Sequence, residues 1–228
     1  PYCIRCQPQV TGAAMDVLRQ AARTLEIEAN AATDNPLVLA TGELLSGGNF
    51  HGQAVAMASD FLAIVCANLA VISERRTDRL VHPDFNQGLP PFLAGSPGLE
   101  SGQMMSQVTA AALASECKGL AHPASVDSIP TDGNKEDVVP MAMGAATKLR
   151  RSVRNLRHVL AIELIAAAEA LEYRRPLRSS VAVERAHAIV RQHVARATGD
   201  RSPAPDITRL GDAVASGAFD AITEGFIV

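Results

Sequence analysis

Aromatic residues are scarce in this chain: it has no tryptophan, two tyrosines and six phenylalanines among 228 residues. Proteins that bind single-stranded nucleic acid stack bases on aromatic side chains and present a basic surface. The formal net charge here is −3, and arginine-rich helix faces are not interleaved with aromatic side chains. We therefore predict no nucleic-acid partner.

Cysteine is also sparse, with four residues in the chain. Cys3 and Cys6 form a Cys-x-x-Cys pair, which is typical of zinc and redox sites. A structural zinc site needs four ligands, but Cys66 and Cys117 lie in separate apolar helical stretches and the histidines form no metal-binding motif. We expect no metal, two buried structural thiols at 66 and 117, and a cytoplasmic protein.

Uninterrupted hydrophobic runs are missing as well, although apolar residues make up 47% of the chain. Charged or amide side chains break the longest apolar stretches, namely Asp60, Asn68, Glu163 and Glu169. A membrane-spanning helix needs about 20 consecutive, mostly apolar residues. No membrane span and no membrane partner are predicted.

No stretch shows the alternation of a β-strand, whereas the helical period recurs along the chain. It predicts helices over residues 9–31, 50–81, 101–121, 136–175, 181–197 and 206–216. The fold class predicted is all-α, an elongated bundle of long helices. Residues 1–175 would form the central long-helix bundle with the site loops, and residues 176–228 would add short helices to the same domain.

The helix predicted over residues 136–175 is the longest. Its apolar seam runs along one face, at Leu149, Val153, Leu156, Leu160, Leu164, Ala168 and Leu171. Pro140 would fall in the first turn, where a missing N–H costs little. Glu136 and Asp137 would lie at the helix N-terminus, where acids stabilise the dipole. A helix of about 40 residues is roughly 60 Å long, which favours flanks buried against partner chains.

Several strings, in the same order and spacing, resemble one family, the aromatic amino acid ammonia-lyases, whose archetype is histidine ammonia-lyase. They are YCIRCQPQV, EANAATDNPL, LLSGGNFHGQ, GLPPFL, SGQMMSQVTAAALASE and AHPASVDSIPTDGNKED. The resemblance covers positions 2 to about 175, and the tail weakly. It implies the C-terminal part of the ammonia-lyase (fumarase/aspartase-like) fold and a carbon–nitrogen lyase.

The family uses an electrophilic prosthetic group, 4-methylidene-imidazole-5-one (MIO), which forms from an internal Ala-Ser-Gly. Here the only such tripeptide is Ala215–Gly217, near the C-terminus and in the wrong context, so we interpret it as a helix end with Gly217 just beyond the last turn. The resemblance implies that the MIO lies upstream, in an N-terminal part of the same protein. This chain alone is expected to be inactive, and the complete protein to be a homotetramer of amino-acid catabolism.

Four side chains match functional positions of the family. Tyr2, which we expect to be catalytic, matches the family tyrosine that points its hydroxyl into the site near the MIO. Arg5 matches the arginine that holds the substrate carboxylate. A planar guanidinium binds a carboxylate through two parallel hydrogen bonds. Tyr2 and Arg5 are three residues apart, so one helical turn presents them on one side. Phe50 matches a residue that lines the pocket.

Glu136 matches the carboxylate that faces the substrate imidazole in histidine lyases, so the resemblance favours L-histidine, giving urocanate. A carboxylate beside a neutral phenyl ring would be a poorly paired buried charge. His51 and Lys135 are expected to support the site from behind, and Lys135 could neutralise Glu136.

Several departures from the histidine-lyase pattern leave alternatives open, including Lys135 where Gln or Asn is usual and Cys3 where Ser is common. Val138 and Pro140 replace a typical His and Ser, and Gly52-Gln53 looks more like the tyrosine and phenylalanine enzymes. A tyrosine or phenylalanine ammonia-lyase or aminomutase therefore remains an alternative. A non-catalytic helical interaction protein is the alternative from another class, because the chain lacks a suitable MIO tripeptide.

Overall fold

A computed structural model describes residues 1–224. The contacts between its residues divide the chain into two compact units. The first unit contains residues 1–7, 70–115 and 154 onward, and the second contains residues 8–69 and 116–153. Each unit is described by itself below.

Helices dominate the described residues, as the sequence predicts. They are α1 (Tyr2–Arg5), α2 (Gln7–Ala29), α3 (Gln53–Val81), α4 (Met104–Leu120), α5 (Ala142–Glu172), α6 (Val181–His193), α7 (Ala204–Ala215) and α8 (Asp220–Thr223), with 3-10 turns at Pro91–Leu93 and Asp132–Asn134. The all-α prediction is confirmed. The short helices α1 and α8 are additions that the periodicity does not predict as separate elements.

A minimal hairpin is the exception to the helical pattern. Strand β1 (Leu37–Val38) pairs antiparallel with β2 (Leu44–Leu45), and Leu37 lies opposite Leu45. Gly42 in the connection has a φ of +81°, a conformation that glycine adopts without strain. The sequence contains the turn residues, but two-residue strands are too short to show alternation.

Helix α3 has the length and the apolar composition of a helix that crosses a membrane. This finding differs from the expectation that its polar residues exclude a membrane span. However, 44% of its most apolar window is buried within the protein. A core helix of a soluble protein meets the same criteria, so α3 does not indicate a membrane protein.

The prediction that the longest helix begins at Glu136 is wrong, because α5 begins at Ala142. Pro140 therefore precedes the helix and does not lie in its first turn. Val139 precedes Pro140 and is therefore disfavoured in the helical region. Met141 follows Pro140 and has a φ of +51°, which is also outside the right-handed helical region. Glu136 instead pairs its backbone with Thr131. The acids at 136 and 137 thus have no helix dipole to stabilise.

The buried face of α5 in the first unit is not the predicted leucine seam. Leu156, Leu160 and Leu164 are half-buried. The buried side chains recur at steps of four, three, four and three on a neighbouring face, namely Asn155, Val159, Ile162, Ala166 and Glu169. Because Asn and Glu interrupt this stripe, apolar periodicity alone does not identify it.

The first unit has an apolar cluster built on Val81, Leu93, Ala166 and Ala170, against which Tyr173 packs. The Tyr173 hydroxyl donates a 3.2 Å hydrogen bond to the Leu93 carbonyl. Burial raises the pKa of Tyr173, and the nearby Glu169 charge raises it further. The phenol thus stays a hydrogen-bond donor to the loop before α4.

Ion pairs join α6 to the end of α5 in the first unit. Arg191 Nη1 lies 2.9 Å from Glu169 Oε1, and His187 Nε2 lies 2.8 Å from Glu172 Oε1. Burial opposes ionisation of Glu172, but hydrogen bonds from His187 and Arg191 outweigh it and lower the pKa of that carboxyl. These contacts attach the C-terminal helices to the long helix that precedes them.

Candidate active site

The first part of the candidate site is the single helical turn α1. The Arg5 and Cys6 N–H groups donate to the carbonyls of Pro1 and Tyr2, at 3.0 and 2.9 Å. Tyr2 is 77% exposed and Arg5 is also exposed. Within residues 1–224 neither side chain has a hydrogen-bond partner, so both are free to contact another molecule. The predicted helical turn is confirmed.

A hydrogen-bonded group in the first unit lies behind this turn, and we call it the Arg76 cluster: Arg76, Glu163, Ser73, Gln7 and the Cys3 carbonyl. Arg76 donates through Nε and Nη2 to both carboxylate oxygens of Glu163, with Nη2 at 2.7 Å. Its Nη1 donates to Gln7 Oε1 at 2.5 Å and to the Cys3 carbonyl at 3.4 Å. The Ser73 hydroxyl donates to Glu163 Oε2 at 2.6 Å.

The sequence pattern does not identify Arg76 as part of a site. Glu163 stands out only as a charge that interrupts an apolar run. A carboxylate in a buried helix needs a compensating partner, and that requirement is the signal that could have pointed to a cluster. The identity of the partner, 87 residues away, is a property of the tertiary structure.

The second unit contains the turn that carries Phe50 and His51. Phe50 is 53% exposed and lies just before α3. His51 Nε2 lies 3.0 Å from the Val138 carbonyl oxygen. Because a carbonyl only accepts, the ring donates from a protonated Nε2. His51 therefore links the Phe50 turn to the segment that follows Glu136.

Glu136 closes a tight loop in the second unit. The Thr131 N–H donates to the Glu136 carbonyl at 2.9 Å, and the Thr131 hydroxyl donates to the Glu136 carboxylate. Between them, Asp132, Gly133 and Asn134 have φ values of +44°, +60° and +67°. Such a run is uncommon for residues other than glycine, and strained loops of this kind occur at functional sites. Glu136 remains exposed, with one side of its carboxylate oriented by Thr131.

Lys135 lies in the same loop, and its N–H donates to the Asp132 carbonyl at 3.2 Å. Among the described residues no ion pair joins Lys135 to Glu136. The side chain of Lys135 is exposed. The expectation that Lys135 neutralises Glu136 thus finds no contact in support.

An open cavity of about 710 Å³ lies in the second unit beside the segment that begins at His122. Lys148, which lines it, donates to the His122 carbonyl and lies 3.5 Å from Asp60 Oδ1. Asp60 also accepts a hydrogen bond from the Ser125 N–H. The irregular segment is residues 122–141, in the connection between α4 and α5. Its start is thereby fixed to helices α3 and α5.

The tripeptide Ala215–Gly217 forms a helix end, as interpreted from the sequence. The Gly217 N–H donates to Val214 and the Ala218 N–H donates to Ala213, the two bonds of a Schellman cap. Gly217 has a φ of +79°, and the Ser216 hydroxyl donates to the Ala213 carbonyl at 3.0 Å. A tripeptide engaged in this cap does not fit the source of an MIO group.

Metal-binding clusters are not found among residues 1–224: no three His, Cys, Asp or Glu side chains there could hold an ion. Cys66 and Cys117 are buried in α3 and α4, as predicted, at 6% and 0% exposure. Burial, together with a smaller contribution from Cys117, raises the pKa of the Cys66 thiol to about 11. These thiols are small core side chains.

The family model for aromatic amino acid lyases matches residues 1–192 of the chain. A curated relative, the histidine ammonia-lyase of Rhodospirillum rubrum, is 55% identical over 223 residues, which are 97% of this chain and 43% of the relative. The chain therefore spans less than half the length of that protein.

Solved structures of such proteins also match nearly the whole of this chain and less than half of their own length. Histidine ammonia-lyase from Trypanosoma cruzi has a TM-score of 0.94 and 40% identity, over 100% of this chain and 45% of that one. Tyrosine aminomutase from Streptomyces globisporus has a TM-score of 0.92 and 38% identity, over 98% and 43% of the two chains. The predicted helical ammonia-lyase fold is thus confirmed, and the chain matches less than half the length of each of these proteins.

Proposed function

The chain belongs to the aromatic amino acid lyase family, and from this premise we propose that it forms the C-terminal part of a histidine ammonia-lyase. The complete protein would remove ammonia from L-histidine and release urocanate. The observation that carries the proposal is the exposed pair Tyr2 and Arg5 on one helical turn. These side chains can receive an amino acid without losing an existing contact. The similarity to histidine ammonia-lyases supports histidine as the substrate.

Arg5 would hold the substrate carboxylate. Its guanidinium presents a rigid fork of donors that matches a carboxylate, and no acid among residues 1–224 competes for it. Tyr2 would act on the substrate proton near the reacting carbons. The hydroxyl needs to be within hydrogen-bond reach of that proton to do so.

Glu136 would face the substrate imidazole and accept a hydrogen bond from a ring N–H. The Thr131 hydroxyl occupies one side of the carboxylate and leaves lone pairs for the ring. Phe50 would contribute apolar surface to the pocket. His51 would position that surface through Val138, and Lys135 would stay near the loop surface.

An MIO group supplied by the N-terminal part would provide the electrophile that makes the amine a better leaving group. The helix cap at Ala215–Gly217 supports an upstream source for it. Each site side chain of this chain would contribute to a site completed by the upstream part and by neighbouring subunits of a homotetramer. We propose that this assembly is cytoplasmic and serves amino-acid catabolism, and that residues 1–175 and 176–228 belong to one domain.

A tyrosine or phenylalanine lyase or aminomutase is the second candidate. The structural similarity to tyrosine aminomutase and the Gly52-Gln53 pair support it. A non-catalytic interaction protein is the third, but both Tyr2 and Arg5 are present, which speaks against it.

The test is the activity of the complete protein on histidine, tyrosine and phenylalanine side by side, with α- and β-amino acid products separated. We expect urocanate from histidine as the main product. A cinnamate-type or β-amino acid product instead would favour the second candidate. Absence of both MIO absorbance and turnover of all three amino acids would exclude the enzyme.

A further inference from the structure

Helix α1 is too short to be stable by itself. It contains four residues, Tyr2–Arg5, and no side chain caps its N-terminus. Helix nucleation is unfavourable, and isolated helices shorter than about 12–15 residues are marginal in water. The exposed side chains of Tyr2 and Arg5 add no packing that would fix the turn. Its orientation therefore comes from the backbone that continues through Cys6 into α2 and from contacts made by its other atoms.

The Cys3 carbonyl supplies such a contact. It lies in the last turn of α1, where carbonyls lack helical partners. Arg76 Nη1 donates to this carbonyl at 3.4 Å and to Gln7 Oε1, at the start of α2, at 2.5 Å. One guanidinium nitrogen therefore holds both sides of the junction between α1 and α2.

The orientation of Arg76 is itself fixed. Its Nε and Nη2 bind both oxygens of Glu163, and the Ser73 hydroxyl, whose residue is fully buried, donates to the same carboxylate. The side chains of Arg76 and Glu163 are only 22% and 19% exposed. Two parallel hydrogen bonds determine the plane of the guanidinium, so Nη1 points towards α1. A lysine could pair with Glu163 but could not provide this fixed fork.

We propose that Arg76 is a positioning residue for the Tyr2–Arg5 turn, so that Arg5 meets the substrate carboxylate and Tyr2 meets the substrate proton in one geometry. This inference rests on the proposed function. A misplacement of about 1 Å at a catalytic group costs up to a hundredfold in rate. Loosening the turn should therefore be visible in kinetics even though Arg76 does not contact substrate.

The first experiment uses the complete protein with Arg76→Lys. We expect kcat/KM for histidine to fall by at least about tenfold. Arg5→Lys and the double variant complete a cycle, which measures coupling between two residues. If Arg76 acts through the turn that carries Arg5, the double variant should be about as slow as the slower single variant. If the loss of kcat/KM in the double variant is the product of the two single losses, the proposal is overturned.

Arg191→Lys is the matched control, because Arg191 is also a half-buried arginine bound to glutamates in the first unit, without a hydrogen bond to residues 1–7. We expect it to lower Tm but to leave kcat/KM, measured well below Tm, within about twofold. An equal loss of kcat/KM in both lysine variants would show a general effect of folding and would count against positioning. If Arg76→Lys does not fold, Gln7→Met removes one acceptor of Nη1 and should give a smaller loss, also coupled to Arg5→Lys.

Amide hydrogen exchange gives a readout that does not depend on activity. The N–H groups of Arg5 and Cys6 are hydrogen-bonded within the turn. In Arg76→Lys they should exchange at least about tenfold faster, whereas in Arg191→Lys they should not change. Unchanged exchange would overturn the proposal whatever the kinetics. An inactive wild-type protein with faster exchange in Arg76→Lys would instead reject only the proposed function.

Discussion

The carboxylate of Asp60 accepts a 2.7 Å hydrogen bond from the backbone N–H of Ser125, 65 residues further along the chain. Asp60 is 2% exposed, and its other oxygen lies 3.5 Å from Lys148 Nζ. Burial opposes ionisation of Asp60, but hydrogen bonds from Ser125 and Ala124 and the charge of Lys148 outweigh it and hold its pKa below the ordinary value of 3.8. The carboxylate thus stabilises the start of the irregular segment in its charged form.

Asp60→Asn should lower the free energy of unfolding by about 1–3 kcal/mol at pH 7. The amide can still accept from Ser125, but Lys148 loses its counter-charge. Because the pKa is lowered in the folded state, this contribution is present above the unfolded pKa and is lost as pH falls through the folded value. The difference between wild type and variant should therefore shrink below about pH 4, as measured by chemical denaturation.

Asp84→Asn is the control, since the side chain of Asp84 is 80% exposed. It should change the free energy of unfolding by less than about 0.5 kcal/mol. A difference for Asp60→Asn that is the same at pH 7 and pH 3 would contradict the assignment of a charged carboxylate.

The acids that interrupt the apolar helices show which features of their contacts can be predicted from the sequence and which cannot. Asp60, Glu163 and Glu169 each interrupt an apolar stretch of the sequence, and each pairs with a cation in the structure. The partners are Lys148, Arg76 and Arg191. That a buried acid has a partner follows from the cost of burying a charge. Which cation it is depends on how distant segments pack, and no local pattern encodes this.

Gly102 allows two backbone segments of the first unit to approach closely. It has a φ of +52°, and a Cβ there would lie 2.5 Å from the Phe92 carbonyl oxygen. Gly98 has a φ of +93°, but a Cβ there would meet nothing within 4 Å. Gly98→Ala should therefore lower the free energy of unfolding by roughly 1–2 kcal/mol, because alanine is strained only by the positive φ at this position. Gly102→Ala should lower the free energy of unfolding by more, about 3 kcal/mol or above, because the backbone at Phe92 must also move away from the new Cβ.

Thermal and chemical unfolding of the two alanine variants would measure this difference. Equal losses would mean that the approach of Phe92 to Gly102 is relaxed in solution. The Gly102 N–H also donates to Asp200 Oδ1 at 2.9 Å. Any shift of Gly102 should therefore weaken this hydrogen bond to Asp200. Faster hydrogen exchange of the Gly102 N–H would show that change.

The three-residue spacing predicts that Tyr2 and Arg5 share one face if their segment is helical, and α1 supplies that helical turn. The setting of Glu136 is not predictable in the same way. A proline is tolerated in the first turn of a helix, so Pro140 does not reveal that α5 starts later, at Ala142. The deciding contact is the bridge between Thr131 and Glu136, which depends on three successive residues of positive φ. Asp, Gly and Asn are typical turn residues, so the sequence indicates a turn at 132–134, but it does not indicate that Glu136 bridges back to Thr131.

Arg5→Lys in the complete protein should lower kcat/KM by at least about tenfold, since charge-assisted hydrogen bonds contribute roughly 1.5–3 kcal/mol each. Lysine keeps the charge but loses the planar fork. Arg23→Lys is a matched control on α2, because Arg23 is exposed and has no ion pair among residues 1–224. Kinetics of Arg5→Lys equal to those of Arg23→Lys would reject the carboxylate role.

Glu136→Gln should change substrate preference more than stability. The amide oxygen can still accept from the Thr131 hydroxyl, so the loop keeps its orientation, but the charge that would face an imidazole is removed. We expect kcat/KM for histidine to fall by at least about tenfold, while kcat/KM for phenylalanine and tyrosine stays equal or rises. Thr131→Val, which removes the orienting hydroxyl but keeps the carboxylate, should give a smaller loss with histidine. An unchanged ratio of kcat/KM between histidine and phenylalanine in Glu136→Gln would show that Glu136 does not select the substrate ring.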